Sequence, residues 1–127
     1  MNTPLSYQIE VKVVAHFMPE QSIPVEKKFY FAYEVHISNI GTVAAKLLSR
    51  HWFIVDGGGK MQEVQGLGVV GEQPYLKPGE SFTYTSNVLI PTPVGSMYGN
   101  YEMLADNGML FMAEIKPFTL AMPGSLH

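Results

Sequence analysis

From Tyr7 to Met122 the chain repeatedly alternates apolar and polar side chains with a period of two, the pattern of half-buried β-strands. In the first strand Tyr7, Ile9, Val11, Val13 and Ala15 share one side, with Gln8, Glu10 and Lys12 opposite. In the second, Phe29, Phe31, Tyr33, Val35 and Ile37 point one way, and Tyr30, Ala32, Glu34, His36 and Ser38 the other. A third strand is expected from Ala44 to Val55, with Leu48, Arg50, Trp52 and Ile54 on one side. Asp56-Gly57-Gly58-Gly59 turns the chain back into a short strand from Lys60 to Gln65. Gly66 to Gly79, with two prolines and four glycines, reads as irregular. A fifth strand, Ser81 to Leu89, alternates Phe82, Tyr84, Ser86 and Val88, and a sixth, Ser96 to Leu104, places Met97, Gly99, Tyr101 and Met103 together. After the turn at Asp106-Asn107-Gly108, a seventh from Met109 to Lys116 sets Met109, Phe111, Ala113 and Ile115 inward. Pro117 ends that strand, and Phe118 to Met122 continues the edge beyond a bend.

No window free of proline carries a helical apolar stripe. About seven short strands with frequent turns therefore predict an all-β protein, an antiparallel two-sheet β-sandwich of immunoglobulin or fibronectin type III kind, in one domain over residues 1–127. Leu76-Lys77-Pro78-Gly79-Glu80-Ser81-Phe82 resembles the turn that crosses between sheets in fibronectin type III domains, except that Phe82 stands where that turn carries a tyrosine.

Composition removes several function classes. With no cysteine, disulfides, thiolate zinc sites and thiol catalysis are absent. Eight Lys and Arg against eleven Asp and Glu leave a net charge of −3, with Arg50 the single arginine, against the clustered positive charge that nucleic acids require. The start, Met1-Asn2-Thr3-Pro4-Leu5, shows no basic and then apolar leader, and the longest strictly apolar run is Met109 to Ala113. A cytoplasmic protein without a membrane span is expected.

Gly66-Leu67-Gly68-Val69-Val70-Gly71 spells G-x-G-x-x-G, but Pro74 and Pro78 forbid the helix whose N-terminus would hold a pyrophosphate. Two readings stay open: a tightly turned inter-strand loop, or a nest of backbone N–H groups for a small anion at Gly66, Gly68 and Gly71. Glu34 and His36 lie on one strand side and are the weak candidates for a divalent ion, although His16, His36, His51 and His127 are scattered and no metal site is expected. Ser49, Ser81, Ser86 and Ser96 lack a nucleophile elbow, and Asp56 and Asp106 sit in turns, so no catalytic residue and no cofactor are assigned. Arg50 alternates with residues that read as buried. It is expected to tie the sheet to a carboxylate or to carbonyls of the glycine-rich segment, the competing reading being an anion-gripping arginine.

Ser49-Arg50-His51-Trp52-Phe53-Ile54-Val55-Asp56, the run Glu63 to Pro74, the run Pro78 to Ser86 and Thr92 to Tyr101 together resemble the ApaG family over essentially the whole chain. The resemblance implies an immunoglobulin-like β-sandwich without an established enzymatic activity. It implies a role in cobalt resistance and magnesium efflux for bacterial members, and protein binding for the eukaryotic ones, where the domain occurs in an F-box protein and a DNA-polymerase-interacting protein. The expected function is a non-enzymatic protein-interaction module, monomer or homodimer, contacting its partner through Gly66–Gly79 and exposed aromatics such as Tyr75. The alternative is nucleotide or pyrophosphate binding at Gly66–Gly71.

Overall fold

The computed structural model describes residues 6–125; the start read above for a leader, and His127, lie outside them. Eight strands follow one another: β1 (Ile9–Phe17), β2 (Phe29–Asn39), β3 (Ala45–Asp56), β4 (Met61–Leu67), β5 (Tyr75–Leu76), β6 (Ser81–Ile90), β7 (Val94–Ala105) and β8 (Leu110–Ala121). The described residues hold no α-helix, only a 3-10 turn at Pro24–Glu26. Every strand pairing is antiparallel. One sheet runs β1-β2-β6, the other β4-β3-β7-β8 with β5 added beside β3. The sandwich expected from alternation is what the chain forms.

The interior is where the apolar sides meet. Phe31, Val35 and Ile37 of β2 face Leu47, Trp52, Met97, Tyr101, Met103, Ile115 and Leu120, all nearly inaccessible to solvent. Trp52 is the hub: its ring meets Tyr33, Tyr101 and Phe118 edge-on, with centroids 5.4, 6.3 and 6.0 Å away. Edge-to-face contacts add to the burial of these large side chains.

The chain crosses between sheets after β2, after β5 and after β6, and buried Asn39 pins the first two crossings. Its Nδ2 donates to Val43 O and Leu76 O at 3.0 and 2.9 Å, and its Oδ1 accepts from Gly41 N at 2.9 Å. The second crossing is the one anticipated at Leu76–Phe82. Gly79 adopts φ +88° there and donates to Asn39 O, while Lys77 N donates to the Glu80 carboxylate. Asn39 thus supplies side-chain bonds at a turn that has no corner tyrosine.

Four local expectations are corrected. A bulge at Leu48, where the β3–β7 register shifts between Leu47 and Ser49, turns Leu47 inward instead of Leu48. Pro117 does not end its strand: β8 continues to Ala121, because the register shift opposite Met97–Gly99 leaves Lys116 and Pro117 in a bulge that demands no ladder hydrogen bond. Met109 is half-exposed ahead of β8 rather than inward. The segment expected to be irregular contributes strand at both ends, Gly66–Leu67 closing β4 and Tyr75–Leu76 forming the added strand β5.

Candidate functional site

A two-sheet sandwich has two open sides, and the chain treats them differently. On one, β1 packs against β8. On the other, β6 and β4 stand apart over a cleft of about 420 Å³, floored by Tyr33, Trp52 and Met97 and walled by Gln62 and Val64 on one flank and Ser86 to Leu89 on the other. Arg50 enters this cleft as its only charged lining residue among the described residues.

The position of Arg50 follows from register. It sits opposite Gly66 in the β3–β4 ladder, so both face the interior. With no side chain at Gly66, the guanidinium lies directly over that backbone; a Cβ there would come within 2.8 Å of Nη2. Nη1 then donates to Leu67 O and to Gly68 O, each at 2.9 Å. Of the two tethers expected for Arg50, the carbonyl one is realised. Among the described residues no carboxylate lies within salt-bridge distance of it, and Nε and Nη2 have no hydrogen-bond partner.

Behind Arg50 the Tyr84 and Tyr101 hydroxyls share a buried hydrogen bond of 2.5 Å. Burial pushes both phenols far above their ordinary range; the Arg50 charge pulls the other way and is outweighed. Both therefore stay neutral at any physiological pH. Sequence analysis placed both tyrosines on the inward sides of their strands without pairing them; that shared parity on the two facing sheets was the available signal.

The other two glycines of G-x-G-x-x-G serve the path of the chain. Gly68 has φ +62°, and a Cβ there would sit 2.2 Å from Glu72 O, so only glycine fits. Val69 and Glu72 exchange backbone hydrogen bonds across a two-residue turn whose central residues, Val70 and Gly71, both have positive φ, 43° and 82°. That is the hairpin geometry in which Gly or Asn is usual, and a β-branched residue at its first position is strained. The N–H groups of Gly68, Val69 and Glu72 are spent on Leu48 O, Glu72 O and Val69 O. Buried Val69 and a bond from Gln73 Nε2 to Leu48 O (2.8 Å) fix the rest of the segment. Its exposed apolar side chains, Leu67 (78% accessible), Val70 (54%) and Tyr75 (46%), are thus carried on a fixed backbone. The Tyr75 hydroxyl donates to Asp106 Oδ2 at 2.7 Å, and that carboxylate raises its pKa.

The remaining candidates lie on outer faces. Glu34 Oε1 and His36 Nε2 come together at 3.0 Å on β2, and His36 Nδ1 meets Thr83 Oγ1 at 3.0 Å, so both ring nitrogens are engaged. No cluster of three or more His, Asp or Glu suited to a metal occurs among the described residues. A second pair, His51 Nε2 with Glu63 Oε2 at 2.6 Å, was missed in the sequence. The three-glycine hairpin contained the signal, since closing it at Asp56 and Lys60 sets His51 opposite Gln65 and diagonal to Glu63.

Comparison with known proteins places the chain. The ApaG domain family model matches residues 19–105. A protein ApaG of Aromatoleum aromaticum is 54% identical over 121 residues, 95% of either chain, and one of Pseudomonas putida is 53% identical over 95% of this chain and 96% of its own. The crystal structure of an ApaA protein from Bordetella pertussis superposes with TM-score 0.91 at 49% identity, covering 94% of this chain and 97% of that one.

Proposed function

This chain belongs to the ApaG domain family, and on that premise we propose that it is a non-enzymatic module that binds another protein. The observation that carries the reading is the fixed segment 66–76. It presents Leu67, Val70 and Tyr75 to solvent on a backbone held by Arg50, Val69 and Gln73. Exposed apolar side chains on a rigid loop are the usual substance of a recognition surface, because little conformational freedom is lost on docking. Hydrogen bonding at Gly68, Val69 and Glu72 leaves few loop amides for an anion, which favours this reading over a nucleotide or pyrophosphate site. The cobalt and magnesium phenotype implied by the family resemblance is then exercised through the partner, in the cytoplasm, rather than through bound metal.

Affinity capture from native lysate tests this, comparing the unchanged chain with a variant carrying Leu67→Ser, Val70→Gly and Tyr75→Ala. A partner retained by the first and lost by the second is expected. Partners recovered equally by both, or none at all, would contradict the reading. Titration with pyrophosphate followed by NMR should leave the Gly66, Gly68 and Gly71 amides unmoved at millimolar ligand.

A further inference from the structure

We infer that the free edge of β6, together with the cleft beside it, is a receptor for an extended peptide strand that carries an acidic side chain into the cleft onto Arg50. The inference rests on the protein-binding reading and adds to segment 66–76 a second contact surface, with the chemistry of the segment that docks there.

The edge comes first. Asn39 N bonds Glu80 O, so in the β2–β6 ladder Phe82, Tyr84, Ser86 and Val88 spend their backbone groups on β2. Thr83, Thr85, Asn87 and Leu89 consequently aim theirs at the open side, where no strand among the described residues pairs with them. Sheet edges are ordinarily guarded by charges, proline or a bulge. The ten residues of β6, Ser81 to Ile90, contain none of these, and their register with β2 is unbroken. β8, the edge on the closed side, carries Glu114, Lys116, Pro117 and a bulge.

The cleft supplies the specificity. A strand laid along β6 sends alternate side chains inward, level with Tyr84, Ser86 and Val88. There they meet Gln62 and Val64 from β4 and the unspent Nε and Nη2 of Arg50. Two carbonyl oxygens accept from the guanidinium without neutralising it, so an inward carboxylate completes its pairing through charge-assisted hydrogen bonds. Apolar neighbours on the same peptide face match Trp52, Val64 and Met97. The occupant is therefore an extended segment with one inward Asp or Glu between inward apolar residues, free of proline where it meets β6.

A displayed library of random nonapeptides, selected on the whole chain, is the probe. Enriched peptides are expected to alternate apolar residues around one acidic residue. Their synthetic forms should shift the Thr83, Thr85, Asn87 and Leu89 amides and bind about tenfold more weakly when the acid is replaced by its amide. Asn87→Pro, at a position whose N–H is free, should fold with an ordinary melting transition and bind at least about tenfold more weakly. Independently of how that variant folds, N-methylating the peptide amides that face β6 should abolish binding, and N-methylating the opposite set should not. Enriched peptides indifferent to N-methylation and to their acidic residue would overturn the inference while leaving a protein-binding module in place. So would a dimer of the unchanged chain that Asn87→Pro converts to monomer, since a second copy would then own the edge. No enrichment, together with no captured partner, would remove both readings.

Discussion

Along the closed side of the sandwich, β1 brings Glu10 and Lys12 and β8 brings Glu114, Lys116 and a bulged Pro117, and the two strands pack together. Along the open side, β6 brings no charge and β4 one glutamate, and between them lies a cleft with a single half-paired arginine. Both sides face the same problem, a strand edge whose N–H and C=O groups solicit a partner. The closed side packs its two edges against each other without pairing them, and guards them with charges, a proline and a bulge. The open side carries no such guard on β6, and it is there that the proposed peptide strand would dock.

Mutations can break this contrast. The largest effect belongs to the closed half: Leu120→Ala, at a fully buried position, should lose about 3–4 kcal/mol in urea denaturation. Val64→Ala, on the wall of the cleft, should lose about 1 kcal/mol, because that side chain is already partly wet. Equal losses would mean that the open side is packed as tightly as the closed one. Next in size, Arg50→Met should cost about 2 kcal/mol and lower the melting midpoint by several degrees, through loss of the bonds to Leu67 O and Gly68 O. An unchanged midpoint would show that the arginine does not hold the loop.

Alkaline titration asks whether water reaches past Arg50. Tyr84 and Tyr101 have folded pKa values raised by burial, so their contribution is intact below the ordinary phenol pKa near 10. Above it the unfolded chain ionises first, and stability should fall by about 1.4 kcal/mol per pH unit for each tyrosine. The double variant Tyr84→Phe with Tyr101→Phe should flatten that fall; a flat profile in the unchanged chain would mean a solvated pair. One change is a gain: Val70→Gly relieves the positive φ at the exposed turn and should stabilise by about 1 kcal/mol.

What could be read from the sequence was whatever depends on one strand at a time. Alternation assigned the inward faces of β1, β2, β6 and β7 correctly, because side-chain parity is a local property of an extended chain. It failed at Leu48 and Pro117, where a bulge resets parity and is visible only in the pairing with a neighbour. It also missed β5, a strand too short to alternate. At the candidate site the same division holds. An arginine in step with buried residues had to find acceptors, and the adjacent glycine-rich carbonyls were within the chain's own logic. The open cleft was not legible, since it depends on which strands become edges and on β6 and β4 failing to meet.

Amide hydrogen exchange along β6 in the free protein reads whether its outer edge is uncovered. Phe82, Tyr84, Ser86 and Val88, bonded to β2, should be protected, and Thr83, Thr85, Asn87 and Leu89, facing the open side, should exchange orders of magnitude faster. Uniform protection along the strand would mean that the edge is already covered and has no place for a docking peptide.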